Sequence, residues 1–182
     1  MATPEIEEPT IASRRIYDGK VVSLRLDTIK LPNGKEALRE VIEHRDAVAI
    51  VALGVDNNVI LVRQYRKPVE RLLLEVPAGV IEDDEDLEEC VQRELQEEAG
   101  YLARRTEKIG GFYASPGYCT EFLHVFLATD LAPSSLTGDD DENIEVVRIP
   151  LADIPALIAS GDICDSKSVA GLLLALERLG SK

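Results

Sequence analysis

Residues 79–101 read GVIEDDEDLEECVQRELQEEAGY, a run whose spacing predicts one helix crowded with carboxylates. Asp83 or Asp84 suits the N-cap, and acids in the first turn suit the helix dipole. Gly100 is a natural stop just past the last turn. At about 100° per residue, Leu87, Cys90, Val91 and Leu95 form one apolar stripe. Glu94 and Glu98 project into that same sector, one turn apart, whereas a solvated acidic face would place them opposite Leu87 and Val91. Two carboxylates side by side on a buried face are costly unless something positive joins them. Arg93 is the nearest cation in sequence, but a helical projection points it away from the pair, so it is not expected to neutralise both. A hard divalent cation such as Mg²⁺ can, because it takes oxygen ligands. Glu97, at the flank of the stripe, is placed to assist. The preceding VPAG, residues 76–79, reads as a loop in which the Ala78 carbonyl is available as a third oxygen ligand and Gly79 permits close backbone approach.

The rest of the composition narrows the function classes. With 182 residues and a normal apolar fraction, the chain can form one ordinary domain with a small extension. A net charge of −14 disfavours a nucleic acid or an anionic membrane as partner, though not a small anionic substrate bound through a metal ion. No apolar stretch is long enough to span a bilayer, and MATPEIEEPT lacks the plan of a signal peptide. Cys90, Cys119 and Cys164 are scattered and odd in number, which suits a reduced, cytoplasmic setting without a disulfide framework or zinc cluster.

Outward from the acidic helix, residues 1–12 read as a loose tail and residues 14–44 as strands, with an Asn33-Gly34 hairpin signal before EALREVIEHR. AVAIVALGV, VILVRQYR and RLLLEVP are further strands. IGGFYASPG leads to FLHVFLATDL, a core strand, followed by the loop LAPSSLTGDDDEN and a last strand, IEVVRIP. LADIPALIASG and SKSVAGLLLALERLG are expected to be helices. The expectation is a mixed α/β chain rich in hairpins, not a regularly alternating parallel fold.

Gly79, five residues, Glu85, seven residues, then Arg93-Glu94-Leu95, one residue, Glu97-Glu98, one residue, and Gly100-Tyr101 resembles the complete box of the Nudix hydrolase family. Many residue types must coincide at fixed spacing, so the signal is specific. The resemblance implies an α/β/α sandwich with a mixed β-sheet and hydrolysis of a nucleoside diphosphate linked to another group. It implies that Glu94 and Glu98 are the principal metal ligands, with Glu97 assisting. Glu85 and Arg93, with Gly79 and Gly100, would hold the loop and helix together. Pro116, sixteen residues after Gly100, and ILVRQYRKPVERLLLEVPAG resemble the ADP-ribose pyrophosphatase branch. That branch implies an N-terminal antiparallel strand region, here 1–44, that builds a homodimer and part of an adenosine pocket beside a hydrolase domain, here 45–182.

The implied substrate, a pyrophosphate, needs cations. Mg²⁺, or Mn²⁺ or another divalent ion, would bridge its oxygens. Arg63 and Arg66 can grip phosphate through two parallel hydrogen bonds, although surface ion pairs are the blander reading in so acidic a chain. Glu75, within LLEVPAG, and Glu121, after SPGYCT, join them as substrate-binding candidates. By resemblance the base comes from the acidic loop GDDDENIEV: Glu142 is the first choice and Glu145 the second, with Glu97 also placed among the catalytic residues. Tyr17, Tyr65, Tyr113 and Tyr118 are the available rings for adenine in a chain without tryptophan. His44 and His124 show no partner in the sequence. The expected activity is conversion of ADP-ribose to AMP and ribose 5-phosphate; alternatives are another nucleotide-sugar pyrophosphatase, such as one for GDP-mannose, or a non-catalytic nucleotide sensor.

Overall fold

The structure, a computed structural model, describes residues 6–137 and 143–180. They fall into two compact units. Residues up to 45, together with 113–121, form the first; 46–112 and the residues from 122 onward form the second.

The first unit is built on a three-stranded antiparallel sheet in the order β1 (Thr10–Asp18), β2 (Ser23–Lys30), β3 (Glu36–Glu43). The Asn33-Gly34 signal becomes the β2–β3 turn. Gly34 takes φ 81°, and the ends close through Leu31 N–H to the Lys35 carbonyl at 2.8 Å. Strand β1 starts at Thr10, inside the expected tail, and is exposed along its whole length. Its backbone pairing with β2 needs no buried side chains, so no apolar alternation announces it. Residues 113–121 are tied to β3 by Ile42 N–H to the Tyr118 carbonyl at 2.7 Å and Thr120 N–H to the Ile42 carbonyl at 3.0 Å.

The second unit holds a seven-stranded mixed sheet. Its main order is β10 (Ile144–Pro150), β5 (Asn58–Arg66), β4 (Ala47–Leu53), β9 (Phe122–Pro133), β8 (Tyr101–Tyr113). Two short strands complete it: β6 (Arg71–Glu75) on β5 and β7 (Ala78–Val80) on β4. Strands β4 and β9 run parallel, while β4 and β10 are antiparallel to β5. Every residue of AVAIVAL in β4 is buried, the signature of a strand covered on both faces. Val48, Ile50 and Ala52 pack with Cys90, Val91 and Leu95 of α1 (Leu87–Glu98). Ala49, Val51 and Leu53 pack with Ile154 of α2 (Ile154–Ser160) and Leu172 and Ala175 of α3 (Ser166–Gly180). The sheet is therefore a layer between helices, as the mixed α/β reading expects.

Three local expectations are corrected. VPAG is not all loop, because Ala78, Gly79 and Val80 pair with Ala49, Val48 and Ala47 as β7. The helix is capped by Asp86, not by Asp83 or Asp84. Asp86 Oδ1 accepts from the N–H groups of Glu88 and Glu89, both at 2.9 Å, and Glu89 answers by accepting from Asp86 N–H at 3.1 Å. This reciprocal box needs Glu or Gln three residues after the cap, which Asp83 and Asp84 lack. Strand β8 also occupies Tyr101–Tyr113, where the sequence suggested no strand. It lies at the sheet edge with only Ala103 buried, and Arg104, Arg105 and Lys108 interrupt any apolar pattern.

Candidate functional site

Glu94 and Glu98 are 8% and 7% exposed, so the inward projection read from the sequence is realised. Burial of both carboxylates follows from where α1 lies. Leu95 and Val91 anchor the helix on β4, which turns the next positions of the stripe toward β7. There Ala78 N–H donates to Glu98 Oε2 at 2.9 Å. Gly79 faces Glu94 so closely that a methyl group on its Cα would collide with the carboxylate. The glycine is required by space and not by its φ.

Arg93 corrects the projection in part, at Glu94 and not at the pair as a whole. Its guanidinium reaches Glu94 Oε1 at 2.5 Å and Glu97 Oε2 at 3.2 Å. The projection failed because it follows Cβ, and a long flexible stem lets the charged head swing to a neighbouring face. Arg93 also clasps Glu85 with Nε and Nη2, at 2.8 and 3.0 Å, and donates to the Val80 carbonyl at 3.1 Å. Loop, strand β7 and helix are thereby joined at one side chain. Hydrogen bonding from Arg93 pulls the Glu85 carboxyl down to about 2, and the bonds to Glu85 raise the Arg93 guanidinium in turn. Burial, aided by the Glu85 charge, pushes the neighbouring Cys90 thiol up to about 12. Cys90 thus stays protonated, as a buried apolar residue.

Arg63 and Arg66 are three residues apart on β5, so they leave opposite faces of the strand. Arg63 pairs with Glu145 of β10 at 2.7 Å, with both side chains well exposed. Arg66 instead grips Glu75 in parallel, Nε to Oε1 at 3.0 Å and Nη2 to Oε2 at 2.7 Å. Burial alone would push the Glu75 carboxyl up, but the bonds from Arg66 and Lys167 outweigh it and hold the group below its ordinary value. Glu98 lies near enough to Arg66 to contribute to the upward shift of its guanidinium, after the dominant bond to Glu75. On the same strand face as Arg66, Gln64 is 8% exposed and its Oε1 has no hydrogen-bond partner among the described residues.

The first turn of α3 and the residue before it add three residues that the sequence did not single out. Lys167 Nζ donates to Glu75 Oε2 and, at 2.9 Å, to Asp165 Oδ1. Asp165 caps the helix by accepting from Ser168 N–H at 3.1 Å. Ser168 Oγ, fully buried, accepts from Val76 N–H at 2.9 Å. Asp165 ahead of SKSVAGLLL is a legible cap signal, but nothing local shows that the next lysine reaches a carboxylate 92 residues away.

The remaining candidates are distributed as follows. Glu121 and Pro116 belong to the first unit. Pro116 sits in a turn closed by Tyr118 N–H to the Ser115 carbonyl at 3.1 Å, and Glu121 Oε1 stands 3.7 Å from His44 Nδ1. His124 Nε2 stands 3.7 Å from Asp46, so both histidines have neighbours that the sequence did not reveal. Tyr17, Tyr65, Tyr113 and Tyr118 are all more than half exposed. Gly100 takes φ 75° after the last residue of α1, as a helix stop requires. Glu142 lies outside the described residues. A groove along α1 is lined by Glu85, Asp86, Glu88, Glu89, Gln92, Arg93, Gln96 and Leu136; Glu94 and Glu98 do not line it, and Arg93 is the residue that touches both the groove and Glu94.

Among the described residues, no three His, Cys, Asp or Glu side chains are grouped as a complete metal-ligand set. What the structure holds together is a buried carboxylate pair, the backbone of β7 packed against it, and the side chains of Arg66 and Lys167 around the buried Glu75. Such an arrangement suits a hard cation and a polyanion together.

Comparison with known proteins gives the same direction. The NUDIX domain matches residues 43–170, and the nucleoside diphosphate sugar hydrolase N-terminal domain matches residues 8–42. An ADP-ribose pyrophosphatase from Bacillus subtilis is 42% identical over 165 residues, spanning 90% of this chain and 89% of that protein. A GDP-mannose pyrophosphatase from Yersinia enterocolitica is 36% identical over 144 residues, 74% of this chain and 75% of that one. A crystal structure of an ADP compounds hydrolase superposes with a TM-score of 0.89 at 28% identity, covering 96% of this chain and 95% of that chain. With its box built around Arg93 and its N-terminal and catalytic regions both matched, the chain belongs to the Nudix hydrolase family.

Proposed function

We propose that the protein hydrolyses the pyrophosphate bond of ADP-ribose, giving AMP and ribose 5-phosphate. The observation that carries the reading is the buried pair Glu94 and Glu98, one helical turn apart against the backbone of Ala78 and Gly79. Glu94, Glu97 and Glu98, with the Ala78 carbonyl, are the groups that would hold Mg²⁺, or Mn²⁺ in its place. The absence of any side chain beyond Cα at Gly79 fits a site where ligand and backbone must share space. When bound, the ion neutralises pyrophosphate oxygens and acidifies the attacking water.

The chain's own residues divide the remaining work. Arg66 grips a phosphate, oriented by Glu75; Arg63, on the opposite face of β5 and paired with Glu145, is the second candidate. Glu142 takes the proton of the water, with Glu97 in support. The likeness to a Bacillus subtilis ADP-ribose pyrophosphatase supports the substrate. The first unit acts as the dimerising element, and its partner copy contributes to the adenosine pocket. The three free cysteines, Cys90, Cys119 and Cys164, support a reducing, cytoplasmic setting. No helix of the described residues is long and apolar enough to cross a membrane.

A substrate panel with product identification tests the activity. ADP-ribose with Mg²⁺ is expected to yield AMP and ribose 5-phosphate at the highest kcat/KM. A higher value for GDP-mannose, the reading favoured by the Yersinia relative, would replace the substrate, and binding without turnover would make the chain a sensor. Glu98→Gln is expected to lower kcat by orders of magnitude with the protein folded, and near-normal turnover at saturating Mg²⁺ would sink the ligand assignment. Glu142→Gln is expected to lower kcat by about 10²–10⁴-fold with little change in Mg²⁺ affinity. If Glu145→Gln is crippled in its place, the base lies three residues later.

A further inference from the structure

We propose that Lys167 is a positioning residue that keeps Arg66 available to the pyrophosphate by sharing its carboxylate partner. The inference rests on the reading of Arg66 as a phosphate ligand and deepens it.

Glu75 is 1% exposed and therefore demands compensation of its charge. Arg66 supplies part, through Nε and Nη2 only. Its Nη1 has no acceptor among the described residues, and its side chain is 38% exposed. Arg66 is thus held by one edge of its guanidinium, with donor capacity left for an incoming anion. Lys167 donates to the same Oε2 of Glu75 and to Asp165. The cluster contains two cations, Arg66 and Lys167, and two carboxylates, Glu75 and Asp165. Without Lys167 it carries a net negative charge, and Glu75 must be compensated by Arg66 alone. The positive charge facing the substrate is then largely cancelled.

Lys167 does not meet the substrate itself, because its side chain is only 15% exposed and both its described partners are carboxylates. Its placement is rigid. It lies in the first turn of α3, which Asp165 caps and which Ser168 fastens to Val76, the residue next to Glu75. The same segment continues to Ala78, where Glu98 is held. A helix start 92 residues away in sequence thereby keeps the charge of a phosphate-binding arginine from being cancelled by Glu75.

The test combines steady-state turnover of ADP-ribose with calorimetric binding of α,β-methylene ADP-ribose, whose bridging carbon cannot be hydrolysed. Lys167→Met is expected to raise both KM and the analogue Kd about tenfold, the scale of one uncompensated charge at a partly buried site, with kcat within about threefold. Lys167→Gln, which retains a donor for Glu75, is expected to do the same and carries the test if the methionine variant does not fold. Lys167→Arg should restore both constants. In an Arg66→Gln background, Lys167→Met is expected to add little, since it acts through Arg66. Unchanged KM and Kd in Lys167→Gln, with both raised in Arg66→Gln, would overturn the positioning role while sparing the phosphate reading. Arg66→Gln without effect would overturn the phosphate reading and this inference with it. An equal rise in both backgrounds would mean that Lys167 acts on the substrate independently of Arg66, which also overturns the proposal.

Discussion

Arg93 and Glu85 show how much one side-chain pair does here. The guanidinium bonds both oxygens of Glu85 and also reaches Glu94, Glu97 and the Val80 carbonyl. Because the Glu85 carboxyl sits at about 2 against an ordinary 4.5, its ionised form is favoured in the folded state. A carboxyl depressed on folding contributes stability that is full above its unfolded pKa and is lost as the pH falls through 4.5 toward about 2. The side chain is 12% exposed, and after allowance for solvent screening the contribution is roughly 2 kcal/mol. Glu85→Gln is therefore expected to be less stable by about that amount at pH 7, with the difference from the natural protein shrinking between pH 5 and about pH 2. Guanidinium unfolding at several pH values measures it. A difference that stays constant across that range would show that the pair stabilises by packing and not by charge.

The decisive element is α1, a helix with a polar load on its buried side. Cys90, Val91 and Leu95 attach it to β4, while Glu94 and Glu98 occupy the remainder of the same stripe. Its start is set by the reciprocal bonds between Asp86 and Glu89. Asp86→Ala removes the acceptor of two N–H groups and is expected to cost about 1 kcal/mol, a fall in Tm of roughly 2–4 °C in a chain of this size. Asp86→Asn should retain most of the stability. Thermal melts of these two variants beside Asp83→Ala provide the check; a larger loss at Asp83 would move the cap. Activity at 25 °C should remain within about twofold, because Glu94 and Glu98, the proposed metal ligands, lie two turns or more further along the helix.

At the scale of the molecule, the first unit presents Ile11, Ile16, Tyr17 and Leu38 to solvent, and β1 buries none of its residues. An open sheet with exposed apolar side chains is a surface that a second copy of the chain would cover. Sedimentation is expected to give about 40 kDa, twice the 20.0 kDa of the chain. Ile16→Glu together with Leu38→Glu is expected to shift the protein toward monomer and to raise KM, if the partner completes the adenosine pocket. A monomer with full activity at working concentration would exclude that role.

The sequence by itself determined the family, the mixed α/β class, the position of α1 and the inward projection of Glu94 and Glu98. Each of these depends on local periodicity or on residues at fixed spacing within one segment, and local geometry is nearly the same wherever the helix ends up. The stop at Gly100 and the Asn33-Gly34 turn were legible for the same reason, since each answers to a backbone conformation of its own. Tertiary structure decided what depended on approach from elsewhere in the chain. Arg93 swings to Glu94 because its stem is long, and a projection from Cβ carries no information about its head. Strand β8 hides its pattern because an edge strand buries almost nothing. Arg63 and Arg66, equivalent as letters, separate into a surface pair with Glu145 and a clasp on a buried Glu75 because alternate residues of β5 face opposite ways. Lys167 meets that same Glu75 across 92 residues because the first turn of α3 is fastened to the segment beside it by the Ser168–Val76 bond. Such a contact costs chain entropy to form and leaves no local mark in the sequence.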